Sequence, residues 1–138
     1  MNPFEKKMVA VMNKSLEPGV ALNALAHMCM GLGASLGPEN LLLMDYADKE
    51  DNPHPNISKM PLIVLRANSS KIRATREAAI EKGIPFTDYL ETMIGGTWEE
   101  QAENTRQKAD EELTYYGIMM VGEWDTVTEL TKKFSLWK

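Results

Sequence analysis

Gly19, Asn23, His27 and Gly31 recur every four residues. On a helix this spacing places all four on one face, so a small, polar stripe crosses an otherwise apolar segment and Asn23 can reach His27. Histidine is the usual side chain for proton transfer near neutral pH, and a neighbouring amide can fix its orientation. The stripe therefore has two readings. His27 is an acid/base oriented by Asn23, or it is a satisfied core or interface histidine, since no Ser, Thr or Cys nucleophile is fixed beside it by sequence. Cys29 falls two residues further on and hence on a different helix face, which makes a Cys-His dyad within the helix implausible. It reads as a small core residue.

A second set of chemically capable residues sits where strands should end. The apolar run Met8–Met12 closes on Asn13-Lys14-Ser15, Leu62–Leu65 closes on Arg66-Ala67-Asn68, and a later run, Ile84–Leu90, carries Asp88 near its end. In open α/β sheets ligands sit beyond the carboxyl ends of the strands, so Lys14, Arg66, Asn68 and Asp88 are expected to border one crevice with Asn23 and His27. Ordinary strand-end polarity is the alternative, set against the tendency of function to collect on such loops. In an enzyme, His27 would be the acid/base, Asn23 its orienter, and Lys14 or Arg66 the group that stabilises an anion or oxyanion.

Other motifs fail on context. Gly31, Gly33 and Gly37 form G-x-G-x-x-x-G, but this run ends a helix instead of joining a strand to one, which argues against dinucleotide binding. No G-x-x-x-x-G-K-[ST] occurs. Asp45, Asp48, Glu50, Asp51 and His54 crowd one stretch whose spacing departs from the D-x-[DN]-x-[DN]-G calcium loop, so a solvated acidic loop is favoured over a weak cation site. No metal site and no cofactor are expected. Tyr115, Tyr116, Trp124 and Trp137 suit a subunit contact or a monomer core equally.

The elements that must position these residues follow from pattern. Met8–Met12 reads as a strand buried on both faces, and Val20–Leu36, opened by Pro18-Gly19, as a long and largely buried helix. Leu41–Met44 suggests a short strand or a helical turn, and Asp45–Lys59 a surface loop. Leu62–Leu65 is a second central strand. A helix capped by Ser69 or Ser70 runs to Lys82, with Gly83 at its C′ position. Ile84–Leu90 is a third strand, and Thr97-Trp98-Glu99-Glu100 is a capping box for a charged helix from Trp98 to Leu113. Tyr115–Val121 is a fourth strand, and Asp125 is expected to cap a last helix carrying Val127, Leu130 and Phe134 to the core. The alternation predicts an α/β domain whose first three strands are joined by right-handed crossovers, with the fourth strand a parallel or antiparallel edge.

The chain has 138 residues, and 43% of them are hydrophobic, enough for one domain spanning 1–138 with a sizeable core. Its formal charge of −5 argues against broad binding to DNA, RNA or an anionic membrane, which rests on a basic surface. One cysteine excludes an intramolecular disulfide, and a reducing cytoplasm is the expected setting. The apolar run near the N-terminus is too short for a signal peptide, and no stretch approaches about 18 uninterrupted apolar residues.

The run from Lys14 to His27, KSLEPGVALNALAH, the segment Pro61–Ala67, PLIVLRA, and Tyr116–Gly122, YGIMMVG, resemble the family called domain of unknown function 2000. That family is similar in fold to the type II peptidyl-tRNA hydrolases. The resemblance spans nearly the whole chain and implies a three-layer α/β/α sandwich around a four-stranded mixed sheet, commonly a homodimer. The type II hydrolases open the corresponding helix with K-G-K-V-A-A-Q-x-x-H; here the last lysine position is Val20, the glutamine position is Ala24, and His27 persists. Their D-x-x-x-T pattern has its counterpart in Asp88 and Thr92. The resemblance therefore implies a hydrolase-like protein with that activity altered or lost, binding a small or acylated ligand in the crevice of Lys14, Asn23, His27, Arg66 and Asp88. Active hydrolysis of peptidyl-tRNA or a related ester is the second expectation, with tRNA then a partner. A non-catalytic dimeric interaction module is the third.

Overall fold

The computed structural model describes residues 4–138; Met1, Asn2 and Pro3 of the expected domain lie outside the described residues. Strand β1 is Lys6–Asn13 and helix α1 is Pro18–Leu36. A hairpin follows, β2 Leu43–Ala47 and β3 Pro53–Ser58, then β4 Leu62–Ala67 and α2 Ser69–Lys82. Next come β5 Phe86–Leu90, α3 Trp98–Arg106, β6 Tyr115–Glu123, α4 Trp124–Thr131 and the short β7 Ser135–Leu136.

The main sheet is mixed but has five strands instead of the expected four, in the order β5-β6-β1-β4-β7, because the chain after α4 adds β7 antiparallel to β4, and β2-β3 form a separate two-stranded sheet. β1 pairs in parallel with β4, from Met8 opposite Leu62 to Asn13 opposite Ala67. β6 runs antiparallel to both β1 and β5, so β1, β4 and β5 point the same way. The expectation of an edge position for the fourth predicted strand is corrected: β6 is central, buried from Gly117 to Gly122, and the edges are β5 and β7.

Alternation along β1 sends Val9 and Val11 to one face and Ala10 and Met12 to the other, all at most 1% exposed. Val9 and Val11 join Ile118, Met120, Ile72 and Ala79 of α2 and Val127 of α4. Ala10 and Met12 join Met119, Val121 and the inner stripe of α1, namely Ala21, Ala24, Met28 and Leu32. Burying each of the larger side chains stabilises the fold by about 1.5–3 kcal/mol. Lys7, which is also buried, extends its Nζ to the Thr128 hydroxyl at 2.6 Å.

Several local expectations need correction. α1 is not largely buried: Leu22 and Met30 on its outer side are 67% and 71% exposed. By length and composition alone this helix, with mean hydropathy 1.3, would suffice to cross a membrane, and its inner stripe packs on the sheet. The stretch 45–59 contains most of the β2-β3 hairpin, with its turn built on Asp48. That carboxylate accepts from the amides of Glu50 and Asn52 and meets His54 Nε2 at 3.0 Å, and these bonds, His54 foremost, hold it below the usual carboxylate range. Asn68, not Ser69 or Ser70, caps α2 by accepting from the Lys71 amide at 3.0 Å. The Thr97 cap forms as expected, with its hydroxyl accepting from the Glu100 amide. α3 ends at Arg106, seven residues before Leu113, because 110–112 turn away as a separate short helix. Glu123, not Asp125, precedes α4, whose last residue is Thr131, so Phe134 reaches the core from the chain leading into β7.

Candidate functional site

The Asn23-His27-Gly31 stripe of α1 faces the edge strand β5. Alternation in β5 turns Thr87 and Tyr89 toward α1 and Phe86, Asp88 and Leu90 toward α2. The Thr87 hydroxyl donates to the Met28 carbonyl at 2.9 Å, and the Asn23 amide donates to the Tyr89 hydroxyl at 3.3 Å. The His27 and Tyr89 rings lie 5.8 Å apart, tilted by 45°. Tyr89 is held from behind by Tyr116, stacked at 6.4 Å, and its hydroxyl donates to the Met93 carbonyl at 2.8 Å. A β-bulge supports this arrangement: Tyr89 pairs with Gly117 and Leu90 with Tyr115, leaving Tyr116 as the extra residue.

Between α1 and β5 lies a cavity of about 500 Å³, lined by Asn23, His27, Met28, Thr87, Asp88 and Tyr89 and completed by Met93, Ile94, Gly95 and Gln101. Its far wall is a tight turn. Gly95 and Gly96 adopt φ of +78° and +68°, values that favour glycine, and the Gln101 amide donates to the Gly95 carbonyl at 2.9 Å. The Thr87 and Tyr89 hydroxyls are engaged in structural bonds, whereas His27 is exposed and makes no hydrogen bond to the described residues. The wall therefore offers a free imidazole beside an amide oxygen, and no side-chain hydroxyl is left as a nucleophile. Such a site can bind a polar or acyl group, or withdraw a proton from water, but by itself it supplies no cation for a developing oxyanion.

The residues singled out in the sequence separate into three places. Asn23, His27 and Asp88 line the α1-β5 cavity, but Asn23 bonds to Tyr89 and no hydrogen bond joins it to His27 among the described residues. The Asp88 carboxylate points to the other face of the sheet, where Arg76 Nε approaches to 2.9 Å. Burial raises the Asp88 carboxyl above its ordinary value, and the Arg76 guanidinium only partly offsets this. Lys14, Arg66 and Asn68 line a different cavity, of about 570 Å³, at the ends of β1 and β4. Thr92 is buried in the turn after β5. Since the Thr105 hydroxyl donates to the Gln101 carbonyl, that of Thr92 must donate to Thr105, at 2.6 Å, and it acts as a tie to α3. The single crevice expected from Lys14, Asn23, His27, Arg66 and Asp88 is thus two cavities.

Tyr89 is the residue that sequence reasoning missed. Its signal was available: Thr87 and Tyr89 alternate on one side of a short strand that must pack beside the Asn23-His27 stripe. Met93–Gly95 and Gln101 carried no such signal, because their place at the cavity depends on the turn that returns α3 to β5.

The family model described as protein of unknown function (DUF2000) matches residues 6–138, and the chain belongs to that family. Among solved structures, a protein of unknown function from Agrobacterium tumefaciens is similar, with TM-score 0.84 and 19% sequence identity over 98% of this chain and 99% of that one. Nothing among curated proteins matches. The structural likeness establishes a shared mixed α/β fold.

Proposed function

We propose that residues 1–138 form one peptidyl-tRNA-hydrolase-II-like domain, a three-layer α/β/α arrangement. It binds a small or acylated ligand in the α1-β5 cavity, with hydrolase activity altered or lost. The observation that carries this reading is the exposed His27 imidazole, which makes no hydrogen bond to the described residues and lies beside Asn23 and Tyr89 on a cavity of about 500 Å³. Val20 occupies the position of the helix-opening lysine, and Lys14 and Arg66 line the other cavity, so the imidazole faces its ligand without a neighbouring cation. Tyr89 positions Asn23, so that a ligand amide N–H would donate to the Asn23 oxygen and a ligand carbonyl would accept from a His27 ring N–H. The setting proposed is a cytoplasmic homodimer.

The test uses the purified chain and its His27→Ala variant with two probes, N-acetyl-leucine methyl ester and N-acetyl-aminoacyl-tRNA. The ester is expected to shift the His27 ring and Asn23 side-chain amide resonances of the wild type in a saturable way, with no release of free tRNA from the second probe. Absence of any saturable shift would overturn the ligand assignment. His27-dependent release of tRNA would instead establish active hydrolysis. The outer side of α1 favours one further reading, a non-catalytic interaction module, because Leu22 and Met30 present apolar surface there. In that case Leu22→Glu would change the sedimentation coefficient and His27→Ala would not.

A further inference from the structure

We propose that the second cavity, at the carboxyl ends of β1 and β4, is an anion site for a phosphate-bearing small molecule. It is lined by Lys14 after β1, Arg66 and Asn68 at the end of β4, Lys71 in the first turn of α2, and Lys133 in the segment leading into β7. No carboxylate lines this cavity of about 570 Å³, and its four cations form no ion pair with the described residues. The chain carries an excess of five acidic groups, yet four of its fifteen Lys and Arg residues line one unneutralised concavity. Like charges repel, so such a group gains from an anion that sits among its members.

Three positions are set by rigid elements. The Lys14 amide donates to the Ala67 carbonyl at 2.9 Å, which joins the ends of β1 and β4. Asn68 caps α2, so the positive end of that helix dipole opens on the same cavity as Lys71. Ser135 pairs with Arg66 across β4-β7 and brings Lys133 alongside. A phosphate is the chemistry that matches: a compact anion with several acceptor oxygens, which a guanidinium can meet with two donors and ammonium groups can surround. The assignment does not depend on His27, which lines the other cavity.

The full chain would be titrated with inorganic pyrophosphate by calorimetry and by amide NMR, and in parallel with a short single-stranded RNA. Pyrophosphate is expected to bind saturably, to shift the amides of Asn68 and Lys71, and to weaken as potassium chloride is raised. Each of Lys71→Gln and Lys133→Gln should weaken binding by about fourfold or more, the Coulomb attraction of unit charges about 5 Å apart across water. His27→Ala should leave it unchanged. Thermal melts check that the lysine variants fold. The proposal is overturned if pyrophosphate does not saturate, if the Lys71→Gln and Lys133→Gln double variant binds as the wild type does, or if the RNA binds and pyrophosphate does not.

Discussion

Replacing Arg76 with Met separates a structural Asp88 from a chemical one. The two groups meet at 2.9 Å with side chains 34% and 18% exposed, between α2 and the edge strand β5. Removing the guanidinium leaves a desolvated carboxylate with its principal cation gone. One-sided loss of a fully buried pair costs about 3–5 kcal/mol, whereas an exposed pair contributes about 0–1 kcal/mol. The partial exposure here places the expected loss near 2 kcal/mol at neutral pH. Part of that, about 0.5–1 kcal/mol, belongs to the contact of Arg76 with the Phe86 ring at 5.6 Å and does not titrate with Asp88.

The pH dependence isolates the remainder. Burial raises the folded-state pKa of Asp88 despite Arg76, so the folded chain holds that proton more tightly than the unfolded chain does. The resulting stability is full below the unfolded carboxylate range and is lost as pH rises through the folded value. Without Arg76 the folded value climbs further. The deficit of Arg76→Met should therefore deepen from about pH 4 towards neutrality, starting from the ordinary carboxylate pKa. Urea unfolding of wild type, Arg76→Met, Asp88→Asn and the double variant, at both ends of that range, measures it. Asp88→Asn in the Arg76→Met background should restore the pH-dependent part. An Arg76→Met deficit equal at both pH values, or no recovery in the double variant, would refute a desolvated Asp88 held by Arg76.

Four further outcomes are expected. Gly83→Ala should cost about 1 kcal/mol in urea unfolding, because Gly83 ends α2 at φ +67° with nothing near its missing Cβ, so the penalty is purely that of the left-handed backbone. Tyr115→Phe should cost about 1–2 kcal/mol by removing the 2.5 Å bond from the buried phenol to Asp110. In the wild type, ultraviolet titration should show one tyrosine ionising only at about 12, held up by burial first and the Asp110 bond second. His27→Ala should leave the unfolding free energy within about 0.5 kcal/mol of wild type, because its ring is exposed and makes no hydrogen bond to the described residues, while removing the saturable response to the N-acetyl ester.

The parts of the fold that were legible in the sequence are those where one local signal sufficed. The apolar runs Met8–Met12 and Leu62–Leu65 became parallel neighbours in consecutive register, and Gly83 and Thr97 mark the ends of their helices. The stretch 45–59 misled because its hairpin has little buried surface to produce alternation: Tyr46 and Ile57 are 51% and 55% exposed, and the turn relies on the Asp48 carboxylate. Helix α1 misled in the opposite direction. Its apolar residues occupy both faces, so composition implied burial that only Ala21, Ala24, Met28 and Leu32 achieve.

The division of the expected crevice follows from one topological fact that no local pattern encodes. β5 follows α2 and points the same way as β1 and β4, which suggested one row of strand ends carrying Lys14, Arg66 and Asp88 together. But β6 enters antiparallel between β5 and β1, so β5 stands two strand spacings from β1, about 10 Å. That insertion, with α1 and α2 packed on opposite faces of the sheet, sets the cations at the ends of β1 and β4, beside the start of α2, apart from the His27 cavity between α1 and β5. It also exposes the outer side of β5 as an edge, where the Gly95-Gly96 turn and Gln101 can close over it. The same insertion stacks the half-buried Tyr116 against Tyr89 and so supports the Asn23-Tyr89 bond. An imidazole site and a cationic site on one small sheet are therefore consequences of the same central antiparallel strand.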